Sequence, residues 1–372
     1  MNPITFYKSL ENFCCFNLKQ ALNPETHLYD RQLRNSRWEA TQGTENLTST
    51  CICLLGIDRA GINLEAIGLK PAQTLNAVFK LASYRPYPGG TGLIIWANAV
   101  YDGISLKELQ QQIDIPFNHF ADYMTSITSM ETAWLVSGLL HEYNRTQDVK
   151  TEQYMNIALE ALMSRYQRNT HLMIHADPQS PWRQRLRRWV ANFADQIYTV
   201  QALALIAVKT SDDRAKQIAD NLANQLVKLQ GEWGQWWWHY NPRHGSVVQS
   251  YPVYSVHQHS MAPMAFAALN RATGQDLSAS IERGRTWLSH NELNINLIDN
   301  QAQTIWRDID FRLSRLKSVS RKVHSLLGHP SYETTAMAKK LVLNYETRPY
   351  EWGWCLYAGA IEMNRNKKLH LV

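Results

Sequence analysis

Cysteine is scarce in this chain of 372 residues. There are five, Cys14, Cys15, Cys51, Cys53 and Cys355, an odd number with no Cys-x-x-Cys pair. That count argues against a disulfide framework and against a thiolate zinc site, and fits small buried hydrophobes in a reducing compartment. Long apolar runs are missing too: none approaches the roughly 18 residues that a membrane span needs. The opening stretch, MNPITFYKSLENFCCFNLKQ, lacks the charged n-region and apolar h-region of a secretory signal. A cytoplasmic location without a transmembrane segment is therefore expected. Excess charge is small, a formal +6, which sets aside a nucleic-acid-binding domain with a concentrated basic stripe. It fits an anionic small molecule, an acidic polysaccharide or a phosphorylated lipid equally well. Strand signals are few, with short extended excursions at 247–248 and 253–256.

Helical periodicity, by contrast, is abundant and comes in two kinds. One is amphipathic with a charged face, as in 151–168 (TEQYMNIALEALMSRYQR) and 213–230 (DRAKQIADNLANQLVKLQ). The other is apolar on nearly all sides, as in 131–141 (ETAWLVSGLLH), 193–208 (FADQIYTVQALALIAV) and 260–272 (SMAPMAFAALNRA). A helix apolar all round must be buried, and one with a single charged face covers it. Inner candidates fall near 46–58, 93–101, 131–143, 194–208, 260–272 and 350–363. Outer candidates precede them, near 3–20, 64–82, 105–120, 151–168, 213–230 and 279–290. Six of each, alternating, predict an all-α fold: an (α/α)6 toroid of six helical hairpins, one domain over 1–372. Local signals agree. Thr128-Ser129-Met130-Glu131 is a capping box and Thr210-Ser211-Asp212-Asp213 a comparable start. Pro263 and Pro349 suit first turns, and glycine turns follow inner helices at 59–61 and 273–275. Only 291–349 breaks the pattern, and an idle loop of that length is unexpected in a compact domain. Its Arg312, Arg315, Lys317, Arg321, Lys322 and His324 read either as a solvated helix face or as a lid-like excursion touching an anionic surface through 312–324.

Chemistry concentrates in 231–260, GEWGQWWWHYNPRHGSVVQSYPVYSVHQHS. So many aromatics would be an aggregation liability on an open loop. Some serve the core; the rest offer flat faces for sugar rings or for a cation. Trp236, Trp237, Trp238, His239, Tyr240, Arg243 and Tyr251, with Trp352, are the candidate substrate-binding residues. His257 and His259 precede an inner helix with Ser260 as its expected N-cap, and with Tyr254 they are candidate proton carriers. His-x-His alone supplies two ligands, so no metal site is expected, nor any cofactor. Carboxylates at corresponding places in the hairpins are Glu39, Glu45, Glu131, Asp195 and Glu351. Asp308 and Asp310 lie in Trp306-Arg307-Asp308-Ile309-Asp310. Glu351 and Asp310 are the candidate acids, since two carboxyls flanking a cleft suit glycoside chemistry.

Two resemblances attach to these residues. The alternation of helices with a Trp/Tyr/His-rich funnel resembles the six-hairpin glycosidase-like superfamily over nearly the whole chain. The segments GQWWWHYNPRHG, YPVYSVHQHSMAPMAF and NYETRPYEWGWCLYA resemble uncharacterised proteins of bacterial polysaccharide gene clusters. That likeness implies a glycoside hydrolase, a sugar epimerase or a polysaccharide lyase toroid. The lyases use a His/Tyr pair with Asn or Arg neutralising a uronate, and Asn241, Arg243, Tyr254 and His257 supply those residue types. Separately, Gln230-Gly231-Glu232-Trp233-Gly234-Gln235-Trp236 is similar to the QxxxGxW motif of triterpene cyclases, but the DxDD motif of those enzymes is absent.

The reading that follows is a carbohydrate-active enzyme of polysaccharide metabolism acting on a saccharide, an acidic one being favoured, by acid/base catalysis in a central aromatic funnel, with hydrolase, lyase and epimerase all open. The alternatives are an isoprenoid-handling toroid and a non-catalytic carbohydrate-binding or scaffold protein. Oligomeric state, bond and stereochemistry stay open.

Overall fold

A computed structural model describes residues 2–34, 37–39, 43–312, 319–320, 323–324 and 340–363. Twelve helices build a ring. In chain order they are α1 (Pro3–Ala21), α2 (Thr44–Ala60), α3 (Pro71–Tyr84), α4 (Thr91–Val100), α5 (Leu106–Ile113), α6 (Ser129–Thr146), α7 (Val149–Ser164), α8 (Phe193–Thr210), α9 (Asp213–Lys228), α10 (Ala262–Thr273), α11 (Ser278–Trp287) and α12 (Pro349–Met363). The even-numbered helices are the inner ones. Each packs on the next, and α12 packs back on α2, which closes the ring.

Composition decides which helix goes where. Every residue of α8 from Phe193 to Ala207 is buried, whereas α9 buries a stripe of Ala215, Ala219, Leu222, Ala223 and Leu226. Each leucine in such a stripe contributes roughly 1.5–3 kcal/mol. One detail differs from the expected order. Outer α7 lies on α6, α9 on α8, and α1 on α12, so an outer helix covers the inner helix before it in the ring. The first helix thereby seals the last.

Where inner helices touch, glycine allows it. A Cβ on Gly56 would fall inside the carbonyl of Gly353, and one on Gly138 would strike the carbonyl of Gly92. Helix ends follow the local signals. The Thr128 hydroxyl and backbone N–H meet the Glu131 carboxylate, and Gly61 and Gly274 take the left-handed C-cap conformation at φ 63° and 79°. The expected start at Ser260 is corrected. His257–Met261 form a π-helical turn that runs directly into α10, so Ser260 lies inside a helix. Such turns insert one extra residue and are frequent at functional sites.

The QxxxGxW segment is architectural. Gln230 Nε2 donates to the carbonyls of Gly234 (2.6 Å) and Ser280 (2.9 Å), tying the end of α9 to α11. Gly234 has φ 93°, and Trp236 is fully buried. Inside the ring, Trp96 of α4, Trp134 of α6, Tyr198 of α8 and Trp354 of α12 make a chain of buried rings 5.4–6.2 Å apart.

Strands are short, and three small sheets gather beside the N-terminal ends of the inner helices. Ala191–Asn192 pairs with His239–Asn241 and that with Ser246–Gln249. Val253–Tyr254 pairs with Asp308–Phe311 and that with Leu341–Asn344. Glu346–Thr347 pairs with Gln32–Arg34, which pairs with Arg37–Glu39. The long excursion at 291–349 therefore contributes strands on both sides of its middle. Of the basic run expected there as a lid, Arg315, Lys317, Arg321 and Lys322 lie outside the described residues.

Candidate active site

The mouth of the ring is where the inner helices begin, and their first turns are linked around it. At α6, the Glu131 carboxylate accepts from Thr128 and from the Tyr87 hydroxyl at 2.7 Å. At α8, the buried Asp195 accepts from Asn192 N–H (2.7 Å), from Met130 N–H (3.0 Å) and from Nδ1 of His175 (2.8 Å). Both acids are spent on holding neighbouring helix starts together, a positioning role that favours the positive helix ends.

The aromatic segment supplies the next stretch of wall. Gln258 is fully buried, accepts from Trp236 N–H at 3.1 Å, and donates to the carbonyls of Trp236 and Tyr254. It staples the tryptophan loop onto the π-turn. His257 then lies between Phe193 (ring centroids 4.5 Å) and Trp238 (5.4 Å, nearly parallel), with Tyr254 at 5.3 Å. Burial pushes its imidazole down to about 3, so it is neutral in the physiological range. His259 turns the other way. Its Nδ1 meets the Ser260 hydroxyl at 2.6 Å and its carbonyl accepts the Tyr7 hydroxyl at 2.6 Å. It sits in the seam between α1 and α12, where its charge also acts on Glu351.

Several expected sugar contacts belong to the core. Trp236, Tyr240 and Trp352 are at most 1% exposed and Tyr251 is 5% exposed. Tyr251 is wedged edge-on between Trp237 and Phe311. His239 is buried beside Gln249 at 3.1 Å. These side chains have no free face for a ligand, because a ring already packed on both sides contributes burial rather than a platform. Trp237 and Trp238 are partly exposed, and Arg243 is exposed. Arg243 stands in a tight turn whose backbone N–H bonds Asn241 Oδ1 at 3.0 Å.

Against this wall lies a charged cluster whose centre, Arg307, was not among the expected site residues. Its guanidinium is 3.1 Å from Glu346, 3.4 Å from Asp308 and 3.7 Å from Glu351, and it lies 5.1 Å over the Tyr254 ring. Arg348 donates to Glu346 at 2.7 Å, Arg34 pairs with the same carboxylate, and Asn344 donates to Asp308 at 3.1 Å. Burial pushes Asp308 up to about 7, against the pull of Arg307 and Asn344. Burial likewise raises Glu351, with Arg307 and Arg348 opposing, and takes Tyr254 up to about 12. Glu351 also accepts, weakly at 3.4 Å, from Thr347 and from Arg348 N–H at the start of α12. Asp310, two residues along the same strand, is half-buried and accepts from its neighbour's backbone, Phe311 N–H, at 2.7 Å.

The structure thus gathers Tyr254, His257 and Glu351 of the expected set, with His259 bordering Glu351, and adds Arg307, Asp308 and Glu346. A signal for the additions exists in retrospect. Trp306-Arg307-Asp308-Ile309-Asp310 alternates as a strand does, and a buried arginine next to an acid on such a strand calls for further carboxylates.

No family model and no curated protein matches the chain. Solved structures do. A D-mannose isomerase superposes with a TM-score of 0.65 at 12% identity, over 97% of this chain and 98% of that one. The cellobiose 2-epimerase of Bacillus thermoamylovorans gives 0.63 at 11% identity, over 98% and 100%. The unsaturated glucuronyl hydrolase of Streptococcus agalactiae gives 0.62 at 11% identity, over 96% and 91%. The chain has the six-hairpin toroid fold. The cluster around Arg307 is built by the segments that precede α10 and α12.

Proposed function

We propose that this toroid is a carbohydrate-active enzyme that binds a saccharide at the mouth and transforms it by acid/base catalysis. The observation that carries the reading is the convergence on Arg307 of two buried carboxyls, Asp308 raised to about 7 and Glu351 also raised by burial, with Tyr254 beneath. A buried acid poised near neutral pH, as Asp308 is, is what proton transfer to a glycosidic or hydroxyl oxygen requires. Asp308, whose carboxyl is pushed up to about 7 and so still carries its proton on the acidic side of neutrality, takes the acid role first expected of Asp310. Glu351 is the second carboxyl, Trp238 the stacking face, and His257 a neutral wall that keeps Trp238 and Tyr254 in place.

The sugar-acting neighbours give the substrate panel: an unsaturated glucuronyl disaccharide, mannose and cellobiose, each followed by product analysis. On whichever substrate turns over, Asp308→Asn and Glu351→Gln should each lower kcat by about a hundredfold or more, with circular dichroism unchanged. Parental turnover in both variants sinks the assignment.

A further inference from the structure

We propose that residues 181–189, on the rim of the mouth, are a docking surface for an anionic lipid bilayer. The segment reads PWRQRLRRW. Trp182 is 60% exposed and Leu186 65%. They lie four residues apart on a helical turn, Trp182–Arg185, that Leu186 continues in right-handed helical conformation, so both apolar chains stand on one side. Arg183, Arg185 and Arg187 are exposed around them and Arg188 is half-buried. Residues 178–190 contain no carboxylate; the preceding Asp177 faces Arg165 at 4.0 Å.

The segment is held, not frayed. Ser180 Oγ donates to the Thr125 carbonyl at 2.6 Å, Gln184 Nε2 to the Ser126 carbonyl at 2.9 Å, and His175 N–H to the Arg188 carbonyl at 3.0 Å. Arg183 and Arg188 lie over the rings of Trp182 and Trp189 at 5.4 and 4.7 Å. A tryptophan and a leucine fixed outward in water cost free energy that the free chain does not recover.

Charge complementarity selects an anionic partner, and the apolar pair selects its kind. Leu186 has no ring to stack on a sugar and no group to bond hydroxyls, so an acidic polysaccharide leaves it unsatisfied. A bilayer boundary takes both apolar side chains while the arginines stay among the headgroups. Arg187 donates to Asn192 Oδ1, the N-cap residue of α8, at 3.3 Å, so docking here turns the mouth toward the membrane. The proposal does not rest on the saccharide reading.

The test is co-sedimentation of the whole chain with vesicles of phosphatidylcholine alone or mixed with phosphatidylglycerol, at low and high salt. Binding should require the anionic lipid and weaken with salt. The double variant Trp182→Ala/Leu186→Ala should bind about tenfold more weakly or worse, and Arg183→Glu/Arg185→Glu about a hundredfold or more. All four positions are at the surface, and circular dichroism checks that both variants fold. Failure to bind anionic vesicles, parental binding by both variants, or capture of soluble polygalacturonate through these residues without vesicle binding would each overturn the proposal.

Discussion

Asp308 is the residue whose protonation should govern the rate. Its carboxyl, raised by burial to about 7, is a proton donor on the acidic side of that value and a carboxylate on the other. If it protonates the departing or exchanging oxygen, kcat/KM is level at lower pH and falls about tenfold per unit above about 7. Asp308→Asn should abolish that alkaline limb along with most of the rate. His257 makes a contrasting prediction, because its imidazole is neutral down to about 3 and contributes no acid limb near the ordinary histidine value. A pH–rate profile from about 4 to 9 separates the two. A rising limb centred on the ordinary histidine range would move the proton-carrying role to a histidine.

At the scale of elements, the ring was legible because burial writes itself into composition. α8 and α10 have no charged face to show solvent, and α7 and α9 do, so inner and outer helices separate without any tertiary knowledge. The capping box at Thr128 and the glycines at 61 and 274 mark ends for equally local reasons. The candidate site was legible only where its residues adjoin helix starts. Tyr254, His257 and Glu351 sit next to helix starts, and helix starts can be found. Arg307 and Glu346 cannot be found that way, since their partners come from two sheets and the start of α12, joined across the long excursion, and register between distant strands is set by the folded chain. Nor does a tryptophan's identity tell a buried ring from an accessible one: Trp236 and Trp238 are two residues apart, and only Trp238 is partly exposed. Ring geometry makes its own prediction at the α2–α12 crossing. Gly56→Ala puts a methyl into the Gly353 carbonyl, where backbone has to move. We expect a loss of about 3 kcal/mol, read as a lower urea midpoint. Gly61→Ala has open space around its Cβ but a positive φ, and should cost about 1 kcal/mol. Equal costs at the two positions would mean that the crossing is looser than the contact implies.

For the whole molecule, buried titratable groups at the candidate site and elsewhere in the ring set how stability answers to pH, and they pull in opposite directions. His257 has a folded pKa of about 3 against 6.5 for a free histidine, and His141, packed on Trp96 at 4.7 Å, is likewise lowered to about 4. Their contribution is complete above the free value and is lost as pH falls from there toward 3–4, because the unfolded chain takes up protons that the folded one refuses. Asp308 runs the other way. Its folded pKa of about 7 exceeds the free value of 3.8, so its contribution is complete below the free value and is lost as pH rises through the folded one. Between those limits each group can change stability by at most about 1.4 kcal/mol per pH unit. His257→Phe, which keeps a ring between Phe193 and Trp238, should therefore reduce the loss of stability in acid. Asp308→Asn should enlarge it, by removing the group that gains from protonation. Urea midpoints for parent and variants from about pH 4.5 to 7 give the slopes directly. Opposite changes of slope would tie the acid response of the ring to these two side chains; variants that run parallel to the parent would mean that neither group is as buried in solution as the mouth's geometry requires.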